Sequence, residues 1–303
     1  MKRLISFLCL FIFSVTLLVA QQVPQFSQNM FNKLANNPGS AGSSQSINAI
    51  VLHRSQWMGF EGSPMTLNLS VDAPIELLHG GVGLNIVSDA IAEYSNLGVQ
   101  FSYAFRTDLG EGQLGIGASA GMFQSGLNGG NLIPANIGDV SIPSSDISGS
   151  SMDFGAGLYY NTRDAYLGIS TLHITEPSIE KTDGQIISLS RHYFLLAGYY
   201  YEINPLLSLN PSISLKSDGS TSQLDINTNI LYNDRIWGGV SYRLDEGIVL
   251  LTGMNINEDL RFGLSYDVVM SEIRNNSIEF MLGYSFKLDI DKPMKSYKNP
   301  RYL

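Results

Sequence analysis

From Ser46 onward, bulky apolar residues recur at every second position, in runs separated by Gly, Asn, Asp and Pro. Period two marks strands with one apolar face. Leu97, Val99, Phe101, Tyr103 and Phe105 share one side, opposite Gly98, Gln100, Ser102, Ala104 and Arg106. Leu114, Ile116, Ala118, Ala120 and Met122 alternate with Gly115, Gly117, Ser119 and Gly121. Leu224, Ile226, Thr228, Ile230 and Tyr232 alternate with Asp225, Asn227 and Asn229, and Ile278, Phe280, Leu282, Tyr284, Phe286 and Leu288 with Glu279, Gly283, Ser285 and Lys287. One face is bulky and the other small or polar. A carboxylate in mid-strand, such as Asp225, fits a wet lumen better than the dry core of a sandwich.

This pattern predicts strands near 46–57, 64–73, 79–88, 94–106, 112–124, 151–161, 164–173, 190–203, 205–217, 221–232, 234–244, 246–257, 259–270 and 277–288. They number fourteen, an even count. Most run to about ten or more residues, the length of a tilted membrane crossing, whereas soluble sheets use about five or six. The fold class expected is all-β, an antiparallel transmembrane β-barrel. The two longest connections, 125–150 and 174–189, follow strands five and seven, so parity puts both at one end. The tight connections at 162–163, 204, 233 and 258 follow even strands and belong at the other, periplasmic end. Aromatic residues gather near strand ends, as in Tyr159–Tyr160 and Tyr199–Tyr200–Tyr201, in the manner of an interfacial girdle.

Composition sharpens this picture. Hydrophobic residues make up 44% of the chain and charged ones only 15%, against about 25% charged in an average soluble domain. No stretch after residue 20 holds about 18 consecutive apolar residues, so a membrane-spanning helix is excluded and a closed barrel remains. The first twenty residues carry Lys2 and Arg3, an apolar run from Leu4 to Val19 and a small residue, Ala20. This predicts a signal peptide, 1–20, cleaved after Ala20. Cleavage would remove Cys9, the single cysteine, and move the net charge from -9 to -11 by taking away two basic residues. So acidic a chain makes nucleic acid a poor partner. Residues 21–45 are expected as a periplasmic or lumen-plugging segment, 46–288 as the barrel and 289–303 as a periplasmic basic tail with Lys292, Lys295, Lys298 and Arg301.

Catalytic chemistry finds little support. The histidines, His53, His79, His173 and His192, lack metal-ligand spacing and cysteine partners. No serine is singled out as a nucleophile, and Gly115-Ile116-Gly117 and Gly155-Ala156-Gly157 lead into no helix that would cradle a phosphate. Neither an enzyme nor a cofactor is expected. Glycines on a lumen face would instead admit close approach of plug or partner backbone, or relieve crowding in a twisted strand. Arg54 and Gln56 share one face of the first strand and are expected to join a polar network in the lumen, with Trp57 anchoring the strand at the interface. Asp72-Ala73-Pro74 reads as a strand end and turn, with Asp72 a candidate contact.

These residues also carry a resemblance. Gln25-Phe26-Ser27-Gln28-Asn29-Met30-Phe31-Asn32 with Asn37-Pro38-Gly39-Ser40-Ala41-Gly42 resembles the opening of the PorP/SprF family, although Gly39 and Ser40 replace part of its Asn-Pro-Ala-x-Ala-Gly element. Arg54-Ser55-Gln56-Trp57-Met58-Gly59, Pro64-Met65-Thr66 and Asp72-Ala73-Pro74 are similar to its Arg-x-Gln-Trp, Pro-x-Thr and Asp-x-Pro succession. Arg191-His192-Tyr193-Phe194, Asn210-Pro211-Ser212, Gly238 to Arg243 and the terminal Asn299-Pro300-Arg301-Tyr302-Leu303 follow the family's order, which makes Arg191, His192 and Arg301 further candidate contacts. The resemblance implies an outer-membrane component of type IX secretion or gliding machinery. Its expected partners are outer-membrane lipid, type IX secretion subunits and exported surface proteins or adhesins. Two other readings stay open: a passive porin or hydrophobic-solute transporter with the same barrel, and a secreted β-sandwich that binds glycans.

Overall fold

The computed structural model describes residues 23–44, 46–132, 142–184, 186–270 and 275–287. The expected signal peptide, the basic tail and Arg301 lie outside them. Seven strands come first: β1 (Ser46–Ser55), β2 (Met65–Ile75), β3 (Gly80–Ile91), β4 (Tyr94–Leu109), β5 (Gly112–Leu127), β6 (Ile147–Asn161) and β7 (Ala165–Leu172). A short hairpin follows, β8 (Ser178–Glu180) and β9 (Ile186–Ser188), and then β10 (His192–Tyr199) and β11 (Tyr201–Asn204). The remaining described strands are β12 (Leu207–Ser217), β13 (Ser222–Tyr232), β14 (Ile236–Arg243), β15 (Gly247–Asn255), β16 (Leu260–Val269) and β17 (Ser277–Lys287).

All except β8 and β9 form one antiparallel sheet of fifteen strands, in which β1 pairs with β17 and β10 with β12. The ring is therefore closed. β10 and β11 are one strand interrupted at Tyr200 and both pair with β12, so the barrel has fourteen staves. Each predicted strand is present within a few residues of its expected bounds. Two details differ: the run expected at 190–203 is broken, and the connection 174–189 contains a hairpin.

The alternation resolves as the hydrophobic pattern requires. Phe101, Ile116, Ile226, Phe280 and Leu282 point outward, between 42% and 64% exposed. Their neighbours Ser102, Ser119, Asn227, Met281 and Glu279 are buried inside. Exposed large side chains cover the outer wall on every long strand, an arrangement that hydrocarbon accepts and water does not.

A segment of the chain itself occupies the interior. Residues 23–44 run through the lumen from one end to the other before turning into β1. Val23 lies at the end with the long connections, where its carbonyl accepts a hydrogen bond from Lys216 at 3.2 Å. The Pro38–Ser40 turn of 3-10 helix sits toward the opposite end, against β5 and β6. Glycine makes that seat possible: a Cβ on Gly117 would come within 2.4 Å of the Gly39 nitrogen, and one on Gly157 within 2.1 Å of Asn37 Oδ1. Gly42, at φ +63, turns the chain against Gly81 where no side chain fits.

Placing a cation on the outer wall tests this orientation. Ile116→Arg should cost about 2–4 kcal/mol in a lipid-vesicle unfolding titration if Ile116 faces the bilayer midplane, because a lipid-facing charge is penalised there.

Candidate functional site

Five charged side chains from one side of the ring meet inside the lumen. Arg54 on β1 and Glu279 on β17 are direct cross-strand partners, as are Asp225 on β13 and Arg243 on β14. Asp267 on β16 completes the group. The period-two pattern puts all five on the inner face, and each is at most 3% exposed. Arg54 pairs with Asp267 at 2.6 Å and Glu279 at 3.6 Å. Arg243 pairs with Asp225 at 3.1 Å and Asp267 at 3.0 Å. Desolvating this many charges is tolerable because each faces an opposite charge and further hydrogen bonds.

The N-terminal segment supplies those bonds. The backbone N–H groups of Ser27 and Gln28 donate to the two carboxylate oxygens of Glu279 at 2.8 and 2.9 Å. Ser27 Oγ donates to Asp267 at 2.8 Å and accepts from Arg54 at 2.7 Å and Arg243 at 3.2 Å. Asn29 donates to Asp225 at 3.2 Å. Below this level Phe26 packs with Leu52, Trp237, Val249, Leu251 and Met281, and Phe31 lies tilted against Trp237 at 4.8 Å between centroids. The inner wall is thus apolar where it meets these rings, a departure from the expected small or polar face. Asp225 sits in a packed network and not in the wet lumen that its position suggested.

Two spaces flank the filled section. At the end carrying the long connections, a cavity of about 540 Å³ is lined by Val23, Pro24, Trp57, Tyr94, Phe123 and Leu189, among others. At the end carrying the tight turns, two lobes of about 960 and 610 Å³ share Met30, Phe31, Tyr200, Asp234, Asn255 and Arg261. Deeper on that side, Lys33 Nζ lies 3.8 Å from the centre of the Tyr166 ring.

The candidate residues do not form one site. Arg54 is in the charged network. Gln56 and Trp57 lie half-buried on the rim of the outer cavity, and the Trp57 N–H donates to Ser277 Oγ at 3.1 Å. Trp57 adopts a left-handed φ of 53°, uncommon for so large a residue. Asp72 is near the tight-turn end, accepting from the Gly42 N–H at 3.0 Å and from Asn48 at 3.3 Å. Arg191 holds the Ile174 carbonyl through Nη2 at 2.6 Å. His192 is buried beside His173 and Phe194, with Nδ1 2.9 Å from the Ser190 carbonyl oxygen. His173 Nδ1 in turn lies 2.9 Å from Asp153. Sequence reading missed Arg243, Asp267 and Glu279 as members of the network, although each already stood on the inner side of its strand.

The network makes its own prediction. Arg243→Met leaves Asp225 and Asp267 buried with one cation fewer and should cost about 3–5 kcal/mol in urea unfolding. Lys287→Met breaks a rim pair with Glu258 whose side chains are 67% and 86% exposed, and should cost less than about 1 kcal/mol.

Comparison with known proteins gives one family. The PorP/SprF family, described as type IX secretion system membrane proteins, matches residues 18–299. No curated protein matches by sequence. Among solved structures, the chain is similar to the Ralstonia pickettii toluene transporter TbuX at 14% identity and a TM-score of 0.46, over 83% of this chain and 92% of that one. It is similar to Acinetobacter baumannii outer membrane protein Omp33 at 10% identity and a TM-score of 0.46, over 80% and 99%. A Pseudomonas aeruginosa FadL homologue matches at 11% identity and a TM-score of 0.43, over 80% and 89%. At these identities no activity passes from them to this chain. The chain folds as a closed β-barrel, and it belongs to the PorP/SprF family of type IX secretion system membrane proteins.

Proposed function

We propose that the barrel is a non-enzymatic platform of the type IX secretion or gliding machinery, supporting export or surface attachment of particular exported proteins. The observation that carries this is the difference between its two ends, on a chain matched by the family over residues 18–299. One end bears the connections 128–146 and 173–191, the β8–β9 hairpin and a cavity with apolar and aromatic lining. Such a surface suits an exported polypeptide, so this end faces the cell exterior. The other end bears tight turns around a polar vestibule and faces the periplasm, where secretion subunits meet it. In this reading residues 1–20 direct export and are removed after Ala20, the bulky outer side chains contact lipid, and the basic tail 289–303 extends into the periplasm.

A passive porin is the weaker reading, because the N-terminal segment fills the lumen at the level of the charged network. The orientation is tested by thiol labelling with an impermeant reagent. Thr182→Cys in the hairpin connection should label on intact cells, and Asn257→Cys in the β15–β16 turn only after the outer membrane is opened. The reverse result would contradict the assignment of ends. The role is tested by deleting the gene: a defined subset of surface proteins should vanish from the cell exterior, and the tagged barrel should co-purify with secretion subunits. An unchanged surface proteome would remove the proposed role.

A further inference from the structure

Residues 23–44 are held in two different ways along their length. From Asn36 to Gly42 the hold combines hydrogen bonds between a side chain and a backbone group with direct contact of backbone against the glycines of the wall. Ser170 Oγ donates to the Asn36 carbonyl at 2.6 Å, Asn37 Nδ2 to the Leu158 carbonyl at 3.0 Å, and the Gly42 N–H to Asp72 at 3.0 Å. Gly39 lies where side chains on Gly115 and Gly117 would collide with it.

From Gln25 to Asn32 the hold consists of side-chain hydrogen bonds to Asp225, Asp267, Glu279, Asn68 and Ser70, together with the packing of Phe26. Among the described residues, the ion pairs at this level join strand to strand through Arg54 and Arg243, with Arg243 also reaching Glu246 in the β14–β15 turn, and none involves residues 23–32. Lys216, buried and bonded to the Val23 carbonyl, adds a third cation to these two arginines, so three cations stand against the carboxylates Asp225, Asp267 and Glu279 and the half-buried Glu246. If residues 23–32 leave, the wall keeps its ion pairs and becomes a polar, charged constriction. On either side of it lie the outer cavity of about 540 Å³ and the vestibule lobe of about 960 Å³. Val23 to Gln25 line the first, and Met30 to Leu34 line the second.

We propose that the barrel has a further activity as a conditional aqueous pore, in which residues 23–32 are a removable stopper, residues 36–42 are its fixed tether, and withdrawal of the stopper joins the outer cavity to the vestibule. The constriction left behind carries both signs of charge, so the passage suits small polar solutes of either sign. This activity belongs to the barrel alone and stands or falls separately from the secretion role.

The test is conductance of the purified full chain in planar bilayers. The unaltered protein should stay closed apart from brief openings. Glu279→Gln keeps the side-chain volume but weakens the acceptor of two backbone N–H groups, and should lengthen the open time by roughly tenfold or more, the effect of losing a charge-assisted hydrogen bond. Ser27→Ala, which removes the hydroxyl shared by Arg54, Arg243 and Asp267, should act in the same direction and serves if the Glu279 variant does not fold. Asn32→Cys with Asn68→Cys, whose native side chains meet at 2.5 Å, should abolish openings when linked through their thiols by a disulfide or a short bifunctional reagent. Reduction of the disulfide should restore them. Folded latch variants that conduct no more than the unaltered chain, or a linked pair that conducts as freely as the unlinked one, would overturn the proposal.

Discussion

The fold rests on a rule of hydrogen bonding: a strand placed in hydrocarbon must have partners on both sides, because no water is present to satisfy its backbone. Closure of β1 on β17 and of β10 on β12 meets that rule all round the ring. Once closed, each strand has an outer and an inner face, and period two decides which residue goes where. The large outer side chains and the small inner ones follow from this. So does the interior, since glycine, serine and asparagine on the inner wall leave a lumen that a polypeptide segment can occupy.

Occupation changes the chemistry of the inner wall. An open lumen would bathe Asp225, Asp267 and Glu279 in water. With residues 23–44 in place these carboxylates are dry and survive through Arg54, Arg243 and the N–H groups of Ser27 and Gln28. Breaking such a group by removing one member is costly even where the intact group adds little net stability. The network therefore specifies where the segment sits more than it adds to the strength of the barrel. The apolar patch of Leu52, Trp237, Val249, Leu251 and Met281 does the same for Phe26 and Phe31 by shape.

Much of the fold was legible because a barrel strand is long and its period regular. The fourteen staves and the outward face of Phe101 and Ile116 follow from local spacing, while at Gly115, Gly117 and Gly157 spacing left close approach of backbone and relief of crowding as equal readings until the Pro38–Ser40 turn was seen against them. What spacing could not give was contact between distant segments. Ser27 and Glu279 are 252 residues apart, and nothing near either names the other. On β15, Ile248, Val249, Leu250 and Leu251 are apolar on both faces, which obscures the direction of the strand; the inner pair is apolar because Phe26 lies against it. The break at Tyr200 was hidden inside Tyr199-Tyr200-Tyr201, where no polar residue marks a turn. The three-residue strands β8 and β9 are too short for any period to register.

The most direct measurement is the environment of single nitroxide labels in lipid vesicles, read by their exposure to dissolved oxygen and to a water-soluble nickel complex. Labels at Phe101, Ile116 and Leu282 should meet oxygen and be shielded from nickel, while labels at Ser119 and Asn227 should be shielded from the oxygen-rich lipid phase. Nickel access at the first three positions, with lipid-like oxygen access at the last two, would mean that the barrel wall faces the other way.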